Sequence, residues 1–91
     1  MSRVRIPPVL RETVGGARDL EASGSTVEEV LDDLFARFPA LRERVTAEGE
    51  LSPFVNLYVN GRDVRYGEGL TTAVGPEDQV ILLPAMAGGS A

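Results

Sequence analysis

Only one stretch of this chain carries helical periodicity, and it lies between segments that alternate like strands. Val27, Val30, Leu31, Leu34, Phe35 and Phe38 recur at the spacing of one face of an amphipathic helix. Glu28, Glu29, Asp32, Asp33 and Arg37 take the opposite face. Thr26 as N-cap with Glu29 three residues on reads as a capping box, with Ser25 and Glu28 a competing choice one residue earlier. Both glutamates fall in the first turn, where the helix dipole favours negative charge. Pro39 stops the helix at or near Phe38. One apolar stripe needs one apolar sheet face to bury against, so the fold turns on whether the flanking segments supply that sheet.

They do. Arg3 to Ile6 alternates Arg3 and Arg5 with Val4 and Ile6, and Pro7 and Pro8 end it because neither can donate to a ladder. Val9 to Gly16 reads as a loop, and Ala17 to Ala22 as a second strand folded back antiparallel on the first. After the helix, Leu41 to Val45 has room for one more helical turn, and Thr46 to Pro53 reads as surface loop. Phe54 to Asn60 places Val55, Leu57 and Val59 on one face and Phe54, Asn56 and Tyr58 on the other. Asn60-Gly61 is a strong hairpin signal, since a type I′ turn needs positive φ at both central residues. A short strand Asp63 to Arg65 follows, then a glycine-punctuated loop, then a last strand, Gln79 to Leu83, stopped by Pro84. A hairpin, a crossing helix and later strands put the first and last strands side by side and parallel. That is an α+β, β-grasp layout: a mixed sheet with one main helix across one face, over residues 1–84, with residues 85–91 as a flexible tail.

The chemistry available to such a chain is narrow. Ninety-one residues make one small domain, burying only roughly 60–65% of the unfolded chain's surface, with little room for a deep active site. There is no cysteine, no histidine and no lysine. Disulfides, thiolate metal sites, the commonest general base, and Schiff-base chemistry are thereby removed. A net charge of −5 argues against nucleic-acid phosphate and anionic membrane as partners. No apolar run reaches the length of a membrane span, and Met1 to Leu10 lacks the apolar core of a signal peptide, so the expected location is cytoplasmic. These absences point to a carrier or binding protein, not an enzyme, with no metal or bound cofactor. The missing lysine fits a GC-rich codon usage, and it equally fits selection against self-attachment by a chain whose own C-terminus is activated.

Gly88-Gly89 lies just beyond the last strand. A tail without Cβ atoms can thread a narrow slot and adopt backbone angles closed to other residues. With IPPVLRETVGG at the front, FVNLYVNGRDVRY in the middle and VILLPAMAGG at the end, the chain resembles the ubiquitin-like sulfur carriers of the MoaD and ThiS type. It is most similar to the carriers of cysteine biosynthesis. The resemblance covers residues 1–89. It implies a Gly89 carboxylate that an activating adenylyltransferase converts, with ATP, to an acyl adenylate. Conversion to a thiocarboxylate follows, and its sulfur passes to a biosynthetic enzyme making cysteine or another thio-metabolite. Members of this family usually end at Gly-Gly, whereas Ser90-Ala91 follow here. Either a processing peptidase cuts the bond between Gly89 and Ser90, or these two residues are foreign to the natural chain, or this member carries no sulfur; the first is the expectation. The resemblance also allows a small subunit of molybdopterin synthase or a ubiquitin-like protein modifier. A β-grasp adaptor without terminal chemistry is a further alternative.

If Val55, Leu57, Val59, Val80 and Leu82 face the helix, strand parity puts Phe54, Tyr58, Ile81 and Leu83 on the open face, with Arg3 and Arg5 beside them. Ordinary exposed apolar surface is the plain alternative. Clustering on the face that no helix covers favours a partner-docking patch, with the arginines as rim charges. Gly67-Glu68-Gly69 is no phosphate loop, since neither a lysine nor a helix follows it. The Glu28, Glu29, Asp32 and Asp33 group reads as a solvated helix face.

Overall fold

A computed structural model describes residues 1–84. The main helix, α1 (Val27–Arg37), begins at Thr26, whose hydroxyl accepts the Glu29 N–H at 3.2 Å. The Glu29 carboxylate reaches back to Ser25 instead of to the N-cap N–H. Its Oε1 accepts the Ser25 N–H at 2.8 Å and the Ser25 hydroxyl at 3.0 Å. Val27, Val30, Leu31 and Leu34 are buried, while Phe35 and Phe38 pack half-buried against the core margin.

The sheet has five strands: β1 (Ser2–Arg5), β2 (Asp19–Ala22), β5 (Val55–Val59), β6 (Arg62–Asp63) and β7 (Gln79–Pro84), in the order β2-β1-β7-β5-β6. The central pair, β1 and β7, is parallel, and the other neighbours are antiparallel. Val4, Val55, Leu57, Val80 and Leu82 face α1 and are buried. The β-grasp order read from the sequence is therefore the observed one.

Three local readings change, and the helical turn expected at Leu41 to Val45 is found in lengthened form. Pro8–Val14 is a 3₁₀ helix, not a loop, with Pro8 in its first turn, Gly15 at φ 69° closing it, and Leu10 and Val14 buried. A second helix, α2 (Pro39–Val45), starts directly after α1, with Pro39 supplying a ready-made first-turn φ and Leu41 and Val45 buried. Thr46 to Pro53 holds a two-residue hairpin, β3 (Thr46–Ala47) with β4 (Glu50–Leu51), turned through Glu48 and Gly49 at φ 54° and 82°. The strand expected at Asp63 to Arg65 is only Arg62–Asp63. Asp63 Oδ1 accepts the Arg65 N–H at 2.8 Å and turns the chain into a 3₁₀ helix, Val64–Tyr66, burying Val64.

The Asn60-Gly61 turn has the expected positive φ values, 51° and 84°. It is also braced from outside. Asn60 N–H donates to Gln79 O at 2.9 Å, and Asn60 Oδ1 accepts the Gln79 N–H at 2.9 Å. The Asn60 amide then donates to Asp78 at 2.9 Å, and Asp78 accepts the Gly75 N–H at 2.7 Å. This network fixes the entry to β7, the strand that leads to the C-terminal segment.

Candidate functional site

The helices cover one side of the sheet and leave the other bare. The pairing register places Tyr58 opposite Ile81 and Asn56 opposite Leu83, with Arg5 beside Ile81 and Arg3 beside Gln79. Leu83 is 43% exposed and Phe54, immediately before β5, is 67% exposed. Tyr58 and Ile81 are half-buried, each shielded by its cross-strand neighbours. Arg3 and Arg5 are exposed on β1. Tyr58, Ile81, Leu83, Arg3 and Arg5 thus occupy strand positions on the uncovered face, and Phe54, expected there as a strand residue, stands just before β5 at its margin. Gly88, Gly89 and Ser90 lie outside the described residues.

The charge on this face is set by the neighbouring strand. Asp19 and Glu21 of β2 stand opposite Arg5 and Arg3. Arg5 Nε donates to Asp19 Oδ1 at 3.5 Å. A long, exposed pair of this kind contributes little to stability.

Asn56 and Arg65 also belong to the face. Arg65 Nη1 donates to Asn56 Oδ1 at 2.6 Å, and Nη2 donates to the Ser52 carbonyl at 2.5 Å. Parity alone assigns Asn56 here. Nothing in the sequence places Arg65, because the turn after β6 folds it back along β5.

Two carboxylates are held below the ordinary range. The Ser25 N–H and hydroxyl lower Glu29, and the Gly75 N–H and Asn60 amide lower Asp78. Both shifts come from hydrogen bonds that close turns. An open hollow of about 430 Å³ between the β5–β6 hairpin and the Gly67–Ala73 segment is lined by Asn60, Arg62, Asp63, Glu68, Thr72 and Asp78 among others. Among the described residues, no group of three or more Cys, His, Asp or Glu is arranged to hold a metal ion. No helix among them is long and apolar enough to cross a membrane.

These features define a β-grasp protein with one sheet face that no helix covers, on or beside which Phe54, Tyr58, Ile81 and Leu83 stand among charged and polar side chains. The sequence model of the ThiS family matches residues 4–89, and the chain belongs to that family. It is 45% identical over 89 residues to the sulfur carrier protein CysO of Mycobacterium tuberculosis, covering 94% of this chain and 96% of that protein. A chain in the crystal structure of the Amycolatopsis orientalis BexX/CysO complex superposes with a TM-score of 0.90 at 40% identity, over 93% of this chain and 96% of that one. Small archaeal modifier protein 3 of Haloferax volcanii is 40% identical over 65 residues, covering 71% of each chain.

Proposed function

We propose that this chain is a sulfur carrier that works through the carboxylate of Gly89, supplying sulfur for cysteine or another thio-metabolite. The observation that carries the reading is the end-to-end likeness to CysO within the ThiS family, running to residue 89. The composition agrees with it. A carboxylate is a poor electrophile until its oxygen displaces pyrophosphate from ATP to form an acyl adenylate. A sulfide-level donor then attacks the acyl carbon, AMP leaves, and the thiocarboxylate remains. None of these steps needs a side chain of the carrier, which fits a protein without Cys, His or Lys. The carrier is thus a co-substrate, and catalysis belongs to the activating adenylyltransferase.

Because Gly89 is followed by Ser90, its carbonyl is locked in a peptide bond until a peptidase cuts there. The bare face around Phe54, Tyr58, Ile81 and Leu83 holds the carrier while the segment after β7 reaches into the enzyme. Chains ending at Gly89 and at Ala91 are to be compared with the activating enzyme and ATP, reading adenylate and thiocarboxylate by intact mass. Activation of the Gly89 chain alone is expected; equal, uncleaved activation of the Ala91 chain overturns the precursor reading. The likeness to the Haloferax modifier protein favours a second use, attachment of Gly89 to partner lysines. Lysine-linked adducts in extracts of the source cells are its readout.

A further inference from the structure

We infer that Arg65 is a positioning residue for carrier docking: it holds the Ser52-Pro53-Phe54 segment so that Phe54 meets the activating enzyme already in place. The inference rests on the docking reading above and adds to it a residue that touches no partner.

Ser52 is the hub. It is buried, and all of its polar groups are engaged. Its N–H donates to Val45 O at 2.8 Å, which ties it to the end of α2. Its hydroxyl accepts the Phe54 N–H at 3.2 Å. Its carbonyl accepts the Val55 N–H at 3.1 Å and the Arg65 guanidinium at 2.5 Å. The other arm of the guanidinium holds Asn56 at 2.6 Å. One planar fork therefore spans the start of β5, from the residue two before Phe54 to the residue two after it. Charge-assisted bonds are among the stronger hydrogen bonds, and Pro53 between the two anchors has a fixed φ.

The side chain presented by this clamp is 67% exposed, so burial in this chain does not hold it. Val55 pairs with Pro84, the last described residue of β7. Phe54 therefore stands next to the described end of β7, within reach of an enzyme that binds the residues that follow. Ordering an interface segment on binding opposes affinity, and a backbone fixed beforehand avoids that cost.

The test uses chains ending at Gly89, as the parent, Phe54→Ala, Arg65→Ala and the double variant. KM and kcat for adenylate formation are measured with the activating enzyme, alongside melting temperatures. Phe54→Ala is expected to raise the carrier KM about tenfold. Arg65→Ala is expected to raise it about fivefold with kcat unchanged, but by less than about twofold when Phe54 is already absent. Arg65→Lys should not rescue, because one ammonium does not reproduce the planar fork. Ser52→Ala removes the hydroxyl under Phe54 and leaves Arg65 intact. It should raise KM only while Phe54 is present, which keeps the test open if Arg65→Ala unfolds. If Arg65→Ala raises KM equally with and without Phe54, the guanidinium contacts the enzyme itself and the positioning role is overturned. If Phe54→Ala raises KM while neither Arg65→Ala nor Ser52→Ala does, the positioning role is likewise overturned, but docking through Phe54 stands. If Phe54→Ala leaves KM unchanged, the docking reading fails and the positioning role fails with it.

Discussion

Gly24 and Gly61 both have positive φ, 146° and 84°, yet they should respond differently to alanine. A Cβ on Gly24 would lie 2.7 Å from Glu29 Cβ, 2.8 Å from the Glu29 carbonyl carbon and 2.8 Å from Val30 N. Two of those atoms are backbone in the first turn of α1, where Val30 N–H donates to Thr26 O at 3.0 Å. The helix start cannot yield without losing its cap. A Cβ on Gly61 meets nothing within 4 Å. Backbone strain costs about 1–2 kcal/mol at either site. The overlap at Gly24 adds about 1–3 kcal/mol, as overpacking does, for a total of about 2–5 kcal/mol against about 1–2 kcal/mol at Gly61. The stiffer unfolded chain returns about 0.4–1 kcal/mol in both variants and cancels in the comparison. In a domain this small each kcal/mol moves the melting temperature by roughly 4–8 °C. With that return subtracted, thermal unfolding followed by circular dichroism should drop roughly 5–35 °C for Gly24→Ala and roughly 0–13 °C for Gly61→Ala. If Gly24→Ala is no worse than Gly61→Ala, the close packing of the Ser23-Gly24 turn against α1 is not what holds it.

Leu34 has no exposed surface, so Leu34→Ala should cost about 2–5 kcal/mol in urea unfolding, and more than Phe35→Leu at the half-buried margin. Asp33 and Arg37 should guard the free edge of β2. Asp33 accepts the Ser23 N–H at 2.9 Å, Arg37 donates to Glu21 O at 2.6 Å, and the two side chains meet at 3.2 Å. Replacing both by alanine frees that edge for pairing with a second copy, and sedimentation should show concentration-dependent association absent from the parent. Glu29 and Asp78 have folded pKa values below their ordinary ones. Their contribution is present above the ordinary carboxylate range and is lost as pH falls through the lowered values. Glu29→Gln should flatten the loss of urea midpoint between about pH 5 and pH 3; an unchanged slope would remove Glu29 from the acid response.

How much of the site was legible depended on whether its geometry follows from parity. Tyr58, Ile81 and Leu83 could be placed because a strand alternates faces and the helix must cover only one of them. Phe54 sits just outside β5, and its exposure depends on a turn whose anchors, Val45 and Arg65, lie seven and thirteen residues from Ser52 in opposite directions. The first 3₁₀ helix left no signal, because no apolar pair three residues apart marks Pro8–Val14, and Pro7-Pro8 before it and Gly15-Gly16 after it read equally as loop.

The sequence by itself determined α1, the Asn60-Gly61 hairpin and the apolar alternation of β5 and β7. Each depends on residues within one or two turns of each other, where period, cap and φ preference act directly. It also determined what chemistry is missing, since an absent side chain is absent in any fold. Only the tertiary structure decided that α1 side chains occupy the β2 edge and that Arg65 clamps the root of Phe54. In those contacts, backbone groups that the strand ladder leaves unpaired take side chains that the packing brings within reach. No local pattern encodes that choice, because Arg65 reaches Ser52 and Asn56 only through the β5–β6 hairpin and the 3₁₀ turn after it, and Asp33 and Arg37 reach Ser23 and Glu21 only where α1 lies against β2.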